Sequence, residues 1–550
     1  MAVAESSFDL LTQPWVAVRD DDGVHELSLI DTFARAHELT GLAGELATQD
    51  LAVLRLLLVI LRRTMGSVRG DGEAIDRWAE WWQAESLPTP QIDAYLAGCS
   101  ERFDLLHPTT PFMQVAGLEA GKTSGLVKLI GDVPDGHRYF TLRSGAGLRS
   151  LSYAEAARWV VHCQAFDPSG IKSGALDDGR TKGGRGYPIG TGWTGRCGLV
   201  VMEGANLKET LLLNLRLDPD DAPEDRPVWE REIPTETPDP MHVVAAGPCD
   251  LMTWPIRRIR LIHNGSEVTD AIIANGTPVQ WHNQHRLETM TAWRRSSGQE
   301  KKHGVPAYMP HEHDANRSFW RGLQSLMVTG GERRTTSNDA EQSLPPRTLD
   351  WIATLQADDA LDVDHPTRMR AIGMVYGSNS SVVASVVDDA LQLRLSVLTD
   401  SDLEAEVVAA LRAADEGVQA LANLAANLAR ASGALPEEDR EAARAQGYYG
   451  LDQGFRRWVS TLSTRSDPTE RRTAWQSYVH HTLGAMGDAL VTASGDQVWR
   501  GRLVTQTKGG ERLVNAPVAH LWFTGTLRSV LPAANQVQPS DRTTPESADV

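Results

Sequence analysis

Residues 369–387 read Met-Arg-Ala-Ile-Gly-Met-Val-Tyr-Gly-Ser-Asn-Ser-Ser-Val-Val-Ala-Ser-Val-Val, and the character of the chain changes at this stretch. The apolar runs Met369–Tyr376 and Val382–Val387 flank the polar segment Gly377–Ser381. Two apolar runs around a short tip of small, polar residues are typical of a β-hairpin. We therefore predict a hairpin here, with helical sequence after it and mixed sequence before it.

The sequence after the hairpin is helical. Asp402–Ala431, Pro436–Leu462 and Pro468–Val491 each show a periodicity of about 3.6 residues, and Arg512–Val530 is a shorter candidate. Asp467 before Pro468 is a typical helix start. Four helices joined by short links predict an antiparallel four-helix bundle.

The sequence before the hairpin alternates between strand and helix patterns. A β-hairpin is predicted from Phe8–Leu11, Trp15–Val18 and Val24–Leu29, and further strands over Ile256–Ile262 and Glu267–Ile273. Helices are predicted over Leu46–Arg63 and Tyr153–Gln164, with Ser152 as an N-cap. The acidic, proline-rich segment Asp218–Pro240 predicts an exposed loop. The predicted fold class is α+β. Its parts are a mixed domain over 1–375, the hairpin and a connection over 376–398, the bundle over 399–530 and a disordered tail over 531–550.

Composition excludes several classes of function. The 550 residues carry a formal net charge of −18, which argues against a chain coated with positive charge that binds any polyanion. A local basic site remains compatible with that balance. The cysteines Cys99, Cys163, Cys197 and Cys249 are too far apart in sequence for a zinc knuckle or a redox dithiol.

The N-terminus has no basic segment of the kind that begins a secretory signal. The longest apolar run, Leu51–Leu61, is interrupted by Arg55 and is too short to span a bilayer, which needs roughly 20 residues. We expect a cytoplasmic protein with no membrane partner.

The usual catalytic signatures are mostly missing from the sequence. Gly190–Gly195 matches a dinucleotide-binding pattern, but it leads into a strand-like segment instead of the helix that such a motif requires. His303, His311 and His313 are candidate metal ligands, although histidines two residues apart diverge unless the backbone is extended. We predict no catalytic residue, no cofactor and no metal.

The segment Asp167–Gly195 is the strongest candidate for function. Glycines alternate there with four cations, Lys172, Arg180, Lys182 and Arg185. Glycine lets a backbone approach another surface closely, while cations between the glycines can hold phosphates. A flexible surface loop is the alternative interpretation.

The order of several segments resembles the large subunit of the type I-E CRISPR surveillance complex Cascade, the CasA family. The similar segments are Phe8–Val18, His107–Gln114, Cys163–Gln164, Ser169–Gly174, Leu211–Asn214, Tyr376–Ser381 and the helical C-terminal region. The resemblance implies a non-catalytic subunit of an RNA-guided complex that recognises the PAM, the short motif beside the target, in double-stranded DNA. It also implies contacts with other Cascade subunits and recruitment of a helicase-nuclease.

The resemblance implies which residues of this chain form the functional site. A glycine loop that reads the PAM maps to Asp167–Gly170, and a wedge that opens the duplex maps to the hairpin tip. The residues so implied for DNA are Ser169, Gly170, Lys172, Asn379, Ser380 and Ser381, with Ser380 standing where better-known members have glutamine. Those implied for the 5′ end of the guide RNA or a neighbouring subunit are Phe140, Arg143 and Arg149.

One element of the family pattern is missing. The family uses a lysine finger, but this chain has no lysine between Lys208 and Lys301, so Asn275 and Arg286 are the candidates to replace it. Two other functions stay open: a metal-dependent nuclease built on the three histidines, and a helical scaffold without nucleic-acid contact. The leading interpretation requires residues 167–170 and 377–381 to lie together.

Overall fold

The computed structural model describes residues 7–132, 141, 143–218, 222–238, 243–327, 343–505 and 510–535. Within these ranges the α-helices are α1 Leu29–Ala34, α2 Ala47–Met65, α3 Asp71–Gln83, α4 Thr89–Gly98, α5 Tyr153–Phe166, α6 Leu207–Asn214, α7 Pro248–Met252, α8 Ser297–His303, α9 Arg347–Ala357, α10 Ser396–Thr399, α11 Ser401–Ser432, α12 Pro436–Thr461, α13 Pro468–Thr492, α14 Asp496–Arg500 and α15 Ala516–Val530. The β-strands are β1 Val16–Asp20, β2 Gly23–Leu27, β3 Gly41–Leu42, β4 Lys172–Ser173, β5 Arg185–Gly186, β6 Leu199–Glu203, β7 Arg257–His263, β8 Val268–Asn275, β9 Trp293–Arg295, β10 Tyr308–Pro310, β11 Ser343–Leu344, β12 Pro366–Tyr376, β13 Val383–Arg394, β14 Arg502–Thr505 and β15 Glu511–Val514.

The strands form small sheets. Three-stranded sheets have the orders β2-β1-β3, β10-β9-β11 and β13-β12-β6, and the pairs β4-β5, β7-β8 and β14-β15 form two-stranded sheets. The predicted hairpin is confirmed as β12 and β13, whose neighbouring strand β6 is antiparallel to β12 and pairs Ile372 with Leu199. Because β6 comes from the middle of the chain, it anchors the hairpin to the mixed domain.

The chain divides into two compact units. One contains residues 1–319 and 325–390, and the other contains 320–324 and 391–550. The first unit mixes helices and sheets, whereas the second is mostly helical, so the predicted α+β class is confirmed. No helix within the described ranges has both the length and the apolar character needed to cross a bilayer.

Helix α2 forms the centre of the first unit, and its apolar run is buried throughout. Arg55, which interrupts that run, donates to both carboxylate oxygens of Glu288 at 3.0 and 2.8 Å. Trp193 Nε1 donates to the same carboxylate at 2.8 Å. A buried charge needs such a partner, and the ion pair with Glu288 allows Arg55 to lie in the apolar core.

Helix α5 is the element that leads to the candidate site. The predicted cap is confirmed: the Ser152 side chain accepts from the Glu155 N–H, and the Glu155 side chain accepts from the Ser152 N–H. The helix continues two residues past its predicted end, and Asp167 is its C-cap. The glycine loop therefore starts from a rigid, buried helix.

The second unit contains four long helices, α11, α12, α13 and α15. Helix α11 packs against the other three, and α13 also packs against α12 and α15. The predicted helix start at Arg512 is wrong: Glu511–Val514 is a strand paired with Arg502–Thr505. The helix begins at Ala516 because the Asn515 side chain accepts the Val518 N–H and so caps it.

The prediction that Asp218–Pro240 is an exposed loop is wrong at its centre. Val228 and Trp229 are buried, and Trp229 Nε1 donates to the Tyr95 hydroxyl at 2.8 Å. The Trp229 ring also packs against Phe103 and Phe112. The large apolar area of one tryptophan outweighs the polar composition around it.

Candidate nucleic-acid interface

The glycine loop and the hairpin tip lie in direct contact. The backbone N–H of Ser169 donates to the carbonyl of Ser380 at 2.7 Å. A Cβ added to Gly170 would lie 3.3 Å from the carbonyl oxygen of Ser381, which is tighter than ordinary contact. The two segments on which the sequence interpretation depends are therefore brought together, and glycine at position 170 allows this close approach.

The hairpin tip is compact and polar. Its strands close through a hydrogen bond from the Gly377 N–H to the Val382 carbonyl at 2.9 Å. Asn379 and Ser380 adopt left-handed backbone conformations, with φ of 55° and 52°. Asparagine tolerates this region, whereas serine is disfavoured there, so the tip holds a conformation that its sequence does not prefer. The side chains of Asn379 and Ser381 are exposed.

A buried charge cluster supports the glycine loop from below. The Asp167 carboxylate accepts from Lys172 Nζ and from Arg257 Nε, each at 2.5 Å. Arg257 also donates to the carbonyls of Pro168 at 3.0 Å and Gly190 at 2.8 Å. Burial alone would raise the pKa of Asp167, but Lys172 and Arg257 outweigh it and hold that pKa below its usual range. The loop backbone is thus fixed by an ionised carboxylate and a fully engaged guanidinium.

Lys172 differs from the expectation of a cation free to bind phosphate. Its side chain is only 4% exposed and pairs with Asp167. Burial lowers the pKa of Lys172, and the charge of Asp167 opposes that effect. Because the buried carboxylate needs compensation, the lysine charge turns inward and holds the loop instead of facing solvent.

The pattern Gly190–Gly195 has a packing role behind the loop. The Gly192 N–H donates to the Asp167 carbonyl at 2.9 Å, and a Cβ on Gly192 would overlap the carbonyl of Ala165. A Cβ on Gly195 would overlap the hydroxyl of Tyr376. These two glycines let the segment lie against the end of α5 and against β12, which explains them without a nucleotide.

A cavity lies between the glycine loop and the hairpin. Its wall is mostly apolar and includes Leu129, Phe166, Met374 and Val382, with His162 among the lining residues. Burial lowers the pKa of His162 to about 3, so this imidazole is neutral near pH 7. The His162 Nε2 lies 3.1 Å from the Thr48 hydroxyl.

The residues implied for guide-RNA contact have different environments. Phe140 lies outside the described residues. Arg143 is buried and forms ion pairs with Glu45 and Glu155, so its charge is already compensated, which differs from the expectation of a free phosphate ligand. Arg149 is exposed.

The two candidates to replace the lysine finger have different surroundings. Asn275 is buried and donates to the carbonyl of Tyr187 at 2.5 Å, so its side chain supports the segment after β5. Arg286 is exposed, and its carbonyl accepts from Arg347.

Two of the three histidines of the metal hypothesis, His303 and His313, have other neighbours. The ring of His303 stacks on His282 at 4.1 Å between centroids. His313 Nε2 lies 3.0 Å from the Leu199 carbonyl. Across the part of the chain that the structure describes, no three His, Cys, Asp or Glu side chains are grouped as metal ligands.

Sequence reasoning missed two residues that organise this site, Arg257 and Tyr376. The signal for Arg257 was its place at the start of an apolar strand, where a buried arginine requires an anionic partner. The sequence places Tyr376 in the hairpin, but no pattern along the chain predicts the hydrogen bond from its hydroxyl to the Phe166 carbonyl at 2.6 Å.

The chain is similar to known proteins over most of its length. The sequence profile of the family described as CRISPR-associated protein Cse1 matches residues 9–485. CRISPR-associated protein CasA/Cse1 of Thermus thermophilus is 27% identical over 448 residues, which cover 79% of this chain and 80% of that protein.

Solved structures are similar over nearly the whole length. The crystal structure of Thermobifida fusca Cse1 matches with a TM-score of 0.85 and 43% identity, covering 96% of this chain and 99% of that one. The structure of Cse1 from Acidimicrobium ferrooxidans matches with a TM-score of 0.79 and 25% identity over 98% of this chain and 100% of that one. The chain belongs to the CRISPR-associated Cse1 family, also named CasA, the large-subunit family that its sequence motifs predict.

Proposed function

We propose that this protein is a non-catalytic subunit of an RNA-guided CRISPR surveillance complex in the cytoplasm. In this proposal it recognises the PAM in double-stranded DNA and starts the unwinding that leads to an R-loop. The single observation that carries the proposal is the hydrogen bond from the Ser169 N–H to the Ser380 carbonyl, because it joins a glycine-rich loop to an exposed polar hairpin tip.

In this proposal the backbone of the glycine loop lies close to the duplex. Base-pair edges in the minor groove offer a degenerate pattern, so steric fit of the backbone contributes much of the discrimination there. Gly170 has no side chain to keep a groove away, and Ser169 contributes through its backbone because its side chain is buried. Lys172 acts indirectly by fixing Asp167.

The hairpin tip supplies the wedge. Asn379, Ser380 and Ser381 are small and polar, and their backbone is fixed by hydrogen bonds within the tip and to the loop. A wedge that unstacks one base step must offset a few kcal/mol with new contacts. A tip already held in its conformation loses little entropy when it inserts, which favours this role.

Other partners are part of the same proposal. They are the 5′ end of the guide RNA, through Arg149, the other subunits of the Cascade complex, and a helicase-nuclease that the bound complex recruits. A solved structure titled as a CRISPR RNA-guided surveillance complex has the same fold, with a TM-score of 0.65 and 19% identity over 95% of this chain and 99% of that one. The nuclease alternative has less support, because His303 and His313 contact other groups and the described residues contain no group of metal ligands.

The test replaces Gly170 with aspartate in the assembled complex. The carboxylate would be forced against the Ser381 carbonyl and toward the phosphates, so we expect target binding to be lost while assembly is retained. The matched control is Gly179→Asp on the same segment, because a Cβ at Gly179 meets no atom within 4 Å. Unchanged affinity of Gly170→Asp for PAM-containing DNA would contradict the proposal.

A further inference from the structure

A tight turn next to the glycine loop carries two exposed cations. Lys182, Gly183, Gly184 and Arg185 form this turn, which we name the cationic turn. The Lys182 N–H donates to the Arg185 carbonyl at 3.1 Å, and the Arg185 N–H donates to the Lys182 carbonyl at 3.2 Å. Gly183 and Gly184 have φ of 59° and 71°, the pair of positive values that a two-residue hairpin turn of this kind requires.

The cationic turn is rigidly attached to the glycine loop. Arg185 pairs with Ser173 in the β4-β5 sheet, and the Gly174 N–H donates to the Gly184 carbonyl at 3.0 Å. A Cβ on Gly174 would lie 2.7 Å from the Gly184 carbonyl carbon, so only glycine permits this packing. Because Ser173 follows Gly170 by three residues, the turn lies on the order of 10 Å from the point where the loop meets the hairpin tip.

The neighbouring cations of the segment are compensated by carboxylates, which separates them from Lys182 and Arg185. Lys172 pairs with Asp167, and Arg180 pairs with Asp178. Lys182 and Arg185 are exposed, and within the described part of the chain neither side chain makes an ion pair or a hydrogen bond. Like charges directly opposite each other on a hairpin repel, so an anion bound between the two groups would stabilise the turn.

We propose that the cationic turn binds the phosphate backbone of the DNA duplex beside the PAM. This inference rests on the proposed function, since the loop and the tip would hold the duplex within reach of the turn. A distance on the order of 10 Å corresponds to about three base-pair steps, so the turn contacts phosphates flanking the bases that the loop inspects. Phosphate contacts fix position and register without reading sequence.

Neighbouring elements of the site then have different roles. The loop and the tip discriminate the PAM, and the cationic turn adds affinity and holds the duplex in register. It also supplies a positive contact in a chain that carries no lysine between Lys208 and Lys301. The net charge of −18 makes such a local contact necessary, because the remaining surface repels a polyanion on average.

The test measures the affinity of the assembled complex for PAM-containing and PAM-lacking duplexes across a range of salt concentrations. The Lys182→Gln/Arg185→Gln variant removes two phosphate contacts, so the slope of log affinity against log salt should become shallower by about 1.8. Affinity at about 0.1 M salt should fall tenfold or more, while the ratio between the two duplexes stays as in the parent.

Two matched variants complete the test. Lys182→Arg/Arg185→Lys keeps both charges and should keep the parent slope. Arg226→Gln/Arg412→Gln removes two exposed arginines from other segments and should also leave the slope unchanged. An equal loss in this second control, or a parent slope in the Lys182→Gln/Arg185→Gln variant, would overturn the inference.

Other outcomes separate this inference from the proposed function and from RNA binding. A parent complex that binds both duplexes equally would contradict the proposed function itself. A Lys182→Gln/Arg185→Gln variant that joins the guide-RNA complex more weakly than the parent, but shows the parent salt slope once assembled, would assign the turn to RNA and overturn the inference.

Discussion

The hydroxyl of Tyr376 donates to the carbonyl of Phe166 at 2.6 Å and joins the last residue of β12 to the last residue of α5. The glycine loop begins one residue after Phe166, and the hairpin tip begins one residue after Tyr376. Together with the bond between Ser169 and Ser380, this contact holds the two segments at their bases and at their tips. Burial raises the pKa of Tyr376, so the hydroxyl stays protonated and remains a donor.

Removing that hydroxyl should loosen the site. In Tyr376→Phe the Phe166 carbonyl loses this donor inside the protein, so we expect the free energy of unfolding to fall by about 1–2 kcal/mol. Chemical denaturation measures this change. The matched control is Tyr187→Phe, because the Tyr187 side chain is 53% exposed and should contribute almost nothing. Equal effects of the two substitutions would contradict the assigned role of Tyr376.

The charge cluster below the loop should respond unequally to the loss of its members. Asp167→Asn leaves Lys172 and Arg257 as two buried cations without their carboxylate, and we expect a loss of about 3–5 kcal/mol. Lys172→Met leaves one carboxylate and one guanidinium, a balanced pair, so its loss should be clearly smaller. Urea denaturation of both variants tests this order, and a greater loss in Lys172→Met would contradict the cluster as described.

Replacing Asn379, Ser380 and Ser381 with glycine should affect strand opening more than the first encounter with the PAM. The side chains that would wedge between bases are lost, while the Ser169 bond is kept because it uses the backbone carbonyl at position 380. Fluorescence of a base analogue beside the PAM follows opening, and binding kinetics follow the encounter.

A second polar turn in the same unit provides the control for that experiment. Asn264→Gly/Ser266→Gly changes the turn between β7 and β8, where the Asn264 side chain accepts from the Ser266 N–H at 3.0 Å. This variant should open the duplex at the parent rate. Equal slowing of encounter and opening by the glycine-substituted tip would remove the wedge role.

The buried imidazole of His162 should make the protein less stable in acid. Its pKa is lowered to about 3 in the fold, whereas the unfolded chain has the ordinary value of 6.5. Stability from this group is fully present above pH 6.5 and is lost as the pH falls toward 3, because the unfolded state then binds the extra proton. Between pH 7 and pH 5 the loss should be about 2 kcal/mol.

In the variant His162→Gln, the free energy of unfolding should fall less between pH 7 and pH 5 than it does in the parent. Its free energy of unfolding, measured by urea denaturation at both pH values, is compared with that of the parent as a difference within each protein. The pH-independent loss of stability that the substitution causes is the same at both pH values, so it drops out of this difference. The same decrease in both proteins would show that His162 does not titrate as its environment indicates.

Local signals predicted local structure well. Ser152 and Glu155 form the capping box expected from their spacing, and the polar tip Gly377–Ser381 joins two strands as its composition indicated. The sequence predicts a helix from Arg512 onward, and the prediction is wrong over Arg512–Val514 because periodicity over so few residues does not separate a strand from a helix turn. The Asn515 cap was the signal that could have corrected the boundary.

Relationships between distant segments required the structure. Lys172 lies among glycines and polar residues, where a lysine normally faces solvent, yet its side chain is buried and pairs with Asp167, which also pairs with Arg257 from β7. No pattern along the chain links Asp167 to Arg257 or Ser169 to Ser380. The resemblance to a family predicts that the loop and the tip act together, and the structure places the two segments in contact.

Disulfide trapping tests the central claim most directly. Ile171→Cys and Ser378→Cys place thiols on exposed positions beside the loop and on the tip, in a protein carrying Cys99→Ser because the other three native cysteines are buried. Target DNA carries a thiol tether at one base pair at a time, and the assembled complex is trapped on each. We predict that both positions form disulfides with the PAM or the base pair next to it. Trapping of only one position there, or of the two positions at base pairs far apart, would contradict a joint action of loop and tip.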